Sequence, residues 1–215
     1  MTNLANLGFK VGVTSEAIVT TYNADGSANA APMGLKLVDE QHLSMNIFNT
    51  SATCRNLRTK KAAVINLTAD IEIYYKSAIK EANQKGTLSS ELFTNAEKVE
   101  APKLRRAEAI VEVSVEKEEP DADRTLFLCK VQRLSVEKSF PQVYCRAFPL
   151  TVEAITHSTR VKAFAKYSGK QEEAAKLIKA IWDCAAIVAR VAPDSQYTDV
   201  FADLLQRIDS WRTKP

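Results

Sequence analysis

Apolar residues recur at every second position up to about residue 140, and at every third or fourth position after it. A period of two belongs to strands with one buried face, and a period near 3.6 belongs to helices packed through one stripe. The chain therefore reads as an α+β protein that is mainly β, with an α-helical appendage at its end. The expected division is 1–140 for the β domain and 141–215 for the helical subdomain.

The β part is punctuated by turn chemistry. Glu16 to Tyr22 is rich in β-branched residues, and Asn23-Ala-Asp-Gly26 follows as a hairpin turn. Ala28 to Val38 resumes the extended chain with Pro32 and Gly34 inside it. Proline lacks the N–H that a central strand must donate, so Pro32 argues for an edge or a bulge; Gly34 argues for close approach by another group. After Asp39-Glu-Gln41, residues 42–48 form a third strand with Leu43, Met45 and Ile47 on one face. Thr53 to Lys61 is predicted as a short helix, and 62–67 as a buried strand ending towards Asp70. A helical insertion is expected near 74–100, with a loop at Lys85-Gly86. Two half-solvated strands, 106–117 and 125–137, are joined by the turn 119–123. The last third carries three helices, 146–166, 171–190 and 198–211. Val152, Ile155, Val161 and Phe164 recur at helical spacing in the first, Leu177, Ile178, Ile181, Ala185 and Val188 form one stripe in the second, and Phe201, Leu204, Leu205, Ile208 and Trp211 mark one stripe in the last.

Composition excludes several classes. The formal net charge of +3 and the mixing of signs along the chain argue against nucleic acid as a partner. The apolar runs are too short for a helical membrane span, and no charged start followed by an apolar stretch marks an export signal. A cytoplasmic protein is expected. Cys54, Cys129, Cys145 and Cys184 form no CxxC pair and only His42 and His157 are present, so no metal site is expected. The cysteines read as free thiols.

Chemistry has two natural places to sit. Residues 49–56, Asn-Thr-Ser-Ala-Thr-Cys-Arg-Asn, end a strand and open a helix. Free N–H groups at such a point attract an anion, and Thr50, Ser51, Thr53 and Arg55 could add donors and charge. The same residues also suit a plain helix cap. Residues 30–36, Ala-Ala-Pro-Met-Gly-Leu-Lys, offer a strand with small side chains against which a flat ring could lie; an ordinary edge strand reads the same way. Arg146, Glu153 and Arg160 follow one another in steps of seven, as a salt-bridge face would, and His157 stands four residues after Glu153, within reach of it on a helix. Tyr74 and Tyr75 could stack on a ligand or simply pack.

The order of these pieces resembles the FMN-binding split β-barrel of the pyridoxamine-phosphate-oxidase and flavin-reductase superfamily. More narrowly, Glu16-Ala-Ile-Val-Thr-Thr-Tyr-Asn, Asn29-Ala-Ala-Pro-Met-Gly, Thr53-Cys-Arg-Asn-Leu57 and Val64-Ile-Asn-Leu-Thr-Ala-Asp70 resemble the family known as domain of unknown function 447. The likeness continues into Arg146-Ala-Phe and Glu153 to Arg160. It implies a homodimer that holds FMN in a groove between subunits. By matching positions, Pro32, Met33, Gly34 and Lys36 would lie along the isoalloxazine ring. Phe48, Asn49, Thr50, Ser51, Thr53 and Asn56 would surround the ribityl chain and phosphate. Ile71-Glu-Ile-Tyr-Tyr departs from the pattern, which has a more apolar, Phe-containing run there, and Tyr144-Cys145 stands where the pattern has Phe-Asn before the arginine. The resemblance implies a flavoprotein oxidoreductase acting on a small-molecule substrate or electron donor. The alternatives are a non-catalytic carrier of FMN or a pterin-type cofactor in tetrahydromethanopterin-linked one-carbon metabolism, and an interaction protein that works through its helices. No catalytic residue is identified by spacing.

Overall fold

The computed structural model describes residues 3–80, 83, 86–137, 143–165 and 169–212. The chain divides into two compact units, 1–144 and 145–215, a few residues from the expected border.

The first unit is built on six strands: β1 (Thr14–Tyr22), β2 (Ala28–Asp39), β3 (His42–Phe48), β4 (Ala62–Leu67), and the two long strands at 109–120 and 124–136. They close into an antiparallel barrel in which β1 neighbours β2 and β4, β3 pairs with the strand at 124–136, and the two long strands pair with each other. Alternation sends Ala17, Val19, Leu35, Leu43, Met45, Ile47, Ala63, Ile65, Val111 and Phe127 into the barrel, where they are buried. Helix α1 (Ala52–Lys60) adds Cys54 and Leu57 to that core, and Leu4, Leu7 and Phe9 add to it from the chain start. Burying such side chains stabilises the unit by about 1.5–3 kcal/mol each.

Between β4 and the long strands, the expected helical insertion takes a different form. Helix α2 spans only Ile71–Ala78; a 3-10 turn at Ser90–Leu92 leads into β5 (Phe93–Asn95), which pairs with β6 (Pro102–Leu104). The reason is packing on the barrel wall. Phe93, Leu104, Leu88 and Ala101 meet the outward-facing Ile18, Ala30, Ala62, Val64 and Ile110, and a short hairpin presents its apolar side chains flat to that wall. Lys85 of the expected loop lies outside the described residues. The long strands are then β7 (Ala109–Pro120) and β8 (Arg124–Val136), of the predicted lengths but beginning three residues later and one residue earlier, so that the turn between them has only three residues.

Pro32 sits on an unpaired edge. The β2–β3 ladder begins at Leu35↔Met45, so residues 28–34 pair with β1 alone and the proline deprives no neighbour of a donor. The bulge of this strand falls instead between Leu37 and Asp39. Gly34 is explained within the chain: a Cβ there would stand 2.9 Å from the Thr14 methyl on the adjacent strand.

At the β2–β3 turn His42 Nδ1 lies 2.8 Å from Asp39 and Nε2 lies 3.1 Å from Glu116. The hydrogen bond to Asp39 raises the His42 pKa above the ordinary 6.5, despite some desolvation. Stability from this group is therefore complete below about pH 6.5 and fades as pH rises through the raised value. An NMR titration of His42 is expected to give a pKa above 6.5. In Asp39→Asn it should fall back towards that value; an unchanged midpoint would show that the carboxylate is not the cause.

The second unit holds α3 (Ala147–Phe164), α4 (Gln171–Val191) and α5 (Gln196–Arg212). Ile181, Val188, Phe201, Leu204 and Ile208 are buried as the stripes predict, whereas Ile155 of the α3 stripe is exposed within the unit. Pro193 lies in the break between α4 and α5. Glu153 and His157 do pair, at 3.4 Å. Among the described residues, no helix is long and apolar enough to cross a membrane.

Candidate functional site

Among the described residues, one side of the barrel's outer wall is covered. The segment 88–107 and α2 pack over β1, β4 and the first residues of β2. Elsewhere on the wall several outward positions are open. On β2, Gly34, Lys36 and Val38 are exposed and Pro32 is half-buried; on β3, Asn46 and Phe48 are exposed; on β8, Leu126 is exposed. Phe48 and Arg124 face each other across the β3–β8 ladder, and the guanidinium lies 3.6 Å from the ring centroid. Phe48 remains 53% exposed and Leu126 39%.

Four residues beyond Phe48 the chain enters α1. Ser51 caps the helix, its hydroxyl accepting from the Cys54 N–H at 3.1 Å. The Ala52 and Thr53 N–H groups take no acceptor among the described residues, and the first turn contains no acid. Thr50 is exposed, and Arg55 folds back to donate to the Thr50 carbonyl at 2.7 Å. A positive helix end, a free hydroxyl and an arginine thus meet at one spot. This donor set suits a phosphate.

The other residues singled out by resemblance are placed differently. Asn49 is a hub of the fold. Its amide donates to the Asp121 and Ala122 carbonyls, and its Oδ1 accepts from Thr125 at 2.6 Å and from Arg58 at 3.3 Å. Thr53 and Asn56 point inward: Asn29 donates to the Thr53 hydroxyl, and Asn56 donates to Thr21 and Asn23, each at 2.9–3.1 Å. Met33 also faces inward, packed against the barrel core, so only its backbone reaches the outer edge. The structure therefore brings Pro32, Gly34, Lys36 and Phe48 onto the open wall and Thr50 and Ser51 to its end. Asn49, Thr53 and Asn56 support from beneath.

Arg58, Arg124 and Thr125 were not legible as neighbours of this region. Arg58 reaches Thr125 at 2.7 Å across 67 residues of sequence. Arg58 follows Arg55 by three residues, a helical spacing that could have flagged it; Arg124 is placed only by the β3–β8 register. Tyr74, by contrast, is structural: its hydroxyl donates to the Glu16 carbonyl at 3.1 Å, and burial pushes its pKa up to about 12. The Tyr75 side chain lies outside the described residues. A separate groove of about 910 Å³ runs between the β1–β2 turn and residues 87–95 and is lined mainly by hydroxyl and amide groups.

The model of the N-terminal domain of a protein family of unknown function, DUF447, matches residues 15–138. The chain belongs to the DUF447 family. The matched span runs from the start of β1 to the end of β8, so it covers the closed barrel and the insertion on its wall. Among solved structures, the FMN-bound DUF447 protein of Methanosarcina mazei is similar over 95% of this chain and 99% of its own, at 19% identity and a TM-score of 0.55. Flavoredoxin from Methanosarcina acetivorans covers 60% of this chain and 72% of its own, at 14% identity and a TM-score of 0.51. The styrene monooxygenase flavin reductase of Pseudomonas putida S12 covers 62% and 85%, at 14% identity and a TM-score of 0.50. No curated protein matches the DUF447 chain in sequence. Such likenesses establish the fold, the FMN-binding split barrel with helices appended, as the sequence predicts.

Proposed function

We propose that this DUF447 protein is an FMN-binding flavoprotein, with the ring on the open wall of β2 and β3 and the phosphate at the start of α1. One observation carries the reading: the strand that presents Asn46 and Phe48 outward runs directly into a helix end whose first N–H groups lack acceptors. Ring and phosphate subsites are contiguous because β3 connects them. Pro32, Gly34, Lys36 and Phe48 would border the ring, and Thr50, Ser51 and Arg55 the phosphate. Asn49, Thr53 and Asn56 would hold those groups in place from beneath. The exposed Phe48 and Leu126 would be covered by a second copy of the chain, which makes the site a half-site of a homodimer.

Hydride chemistry would be supplied by FMN; the protein's share is position and charge. An oxidoreductase using a small-molecule electron donor follows as the activity.

Purified protein is expected to show a flavin absorbance band or to quench FMN fluorescence on titration. Arg55→Ala should weaken binding by tenfold to hundredfold, the equivalent of about 1.5–3 kcal/mol for one charged hydrogen bond. Protein that neither carries nor takes up FMN would sink the proposal. Anaerobic mixing with NAD(P)H separates the two remaining roles: bleaching of bound flavin supports the enzyme, and a flavin that no nicotinamide reduces supports a carrier.

A further inference from the structure

Lys80 is a cation whose place in the fold does not account for its charge. Its Nζ donates to the Ala30 carbonyl at 2.6 Å. That carbonyl faces the edge of β2 left bare by β3, since the β2–β3 ladder starts only at Leu35. Successive residues of a strand turn their N–H and C=O to opposite sides, so Ala30 and Pro32 share this edge. The ammonium therefore stands at the bare edge of the strand that leads from Ala30 through Pro32 to Gly34.

An ammonium has three donors, and the Ala30 carbonyl uses one. Among the described residues Lys80 forms no ion pair. It is half-buried, and burial lowers its pKa with no neighbouring charge acting on it. Satisfying one edge carbonyl needs only a neutral donor. A half-buried cation with spare donors and no counter-ion is available to an electron-rich group that comes to that edge.

Resting on the FMN reading above, we propose that the Lys80 ammonium meets the electron-rich edge of the flavin ring and favours the reduced cofactor. A cation held in a partly desolvated place interacts more strongly with added negative charge than it would in water. Lys80 is thus a residue that tunes the cofactor's potential from beside β2.

Reductive titration of the FMN-loaded protein with dithionite against a reference dye tests this. Lys80→Gln keeps a neutral donor for Ala30, and Lys80→Arg keeps the charge. The glutamine variant should bind reduced FMN about tenfold less well relative to oxidised FMN, a fall of about 30 mV for a two-electron couple. The arginine variant should stay near the wild-type value. A glutamine variant that holds FMN at an unchanged potential overturns the role of Lys80 and leaves FMN binding intact. An arginine variant that falls as far as glutamine overturns it too, because charge is then not the agent. Wild-type protein that takes up no FMN overturns both readings.

Discussion

Replacing Glu112 with alanine is expected to destabilise the barrel unit by about 2–4 kcal/mol, the loss when the buried acceptor of two backbone N–H groups is removed. Glu112 is fully buried on β7, facing outward under the β5–β6 hairpin. Its carboxylate accepts from the Glu97 N–H at 3.1 Å and the Lys98 N–H at 2.6 Å, and the Arg133 guanidinium lies 3.5 Å away. Alanine leaves two backbone donors and a cation without this acceptor. Glu112→Gln keeps the shape and one acceptor, so its loss should be smaller. Urea unfolding followed by circular dichroism gives the size, and amide exchange at Glu97 and Lys98 shows whether the hairpin turn opens first. A Glu112→Ala midpoint equal to wild type would mean that the hairpin is held by its apolar contacts alone.

Asn66→Leu should cost about 2–4 kcal/mol. Asn66 is fully buried on β4. Its amide donates to the Ile18 carbonyl at 3.0 Å and the Thr20 hydroxyl at 3.0 Å, and its Oδ1 accepts from the Leu104 N–H at 2.8 Å. Leucine has a similar volume, so little cavity forms, and the loss comes from the hydrogen bonds and from the stranded Leu104 N–H, a penalty of about 1–3 kcal/mol by itself. Asn66 and Glu112 lie on paired strands beneath the same hairpin, at registers Asn66↔Ile110 and Val64↔Glu112. Their losses should therefore fall short of additive in the double variant. Leucine at position 66 with unaltered thermal stability would show that Leu104 finds another acceptor. In that case the polar tether is dispensable.

Both residues bear on the candidate site. The insertion that they anchor covers one side of the wall, and the other side stays open for a ligand. Under the proposed FMN reading, a loosened hairpin should weaken cofactor binding indirectly, without any change at Arg55 or Phe48.

The sequence by itself determined what depends on neighbours a few residues away. The Asp25-Gly26 turn, the Ser51 cap of α1, the alternation of Leu43, Met45 and Ile47, and the stripes of α4 and α5 are all local, and all are present. Resemblance carried the larger inference, because the order of strand, turn, Pro-Met-Gly strand and hydroxyl-rich helix start is itself linear. Residues 74–100 misled because Phe93 and Leu104 are too sparse to show a period of two. Their strand form is decided by the barrel wall on which they rest. Only the tertiary structure decided that Asn49, Thr53 and Asn56 serve the fold from beneath, that Phe48 carries Arg124, and that Gly34, Lys36, Asn46 and Phe48 share an exposed stretch of the wall. The reason is distance along the chain. Leu104 meets Asn66 across 38 residues and Thr125 meets Asn49 across 76, and such partners exist only once the strand order is closed. Backbone propensity acts within a turn or two, whereas the satisfaction of a buried polar group is settled by whatever the closed barrel brings beside it.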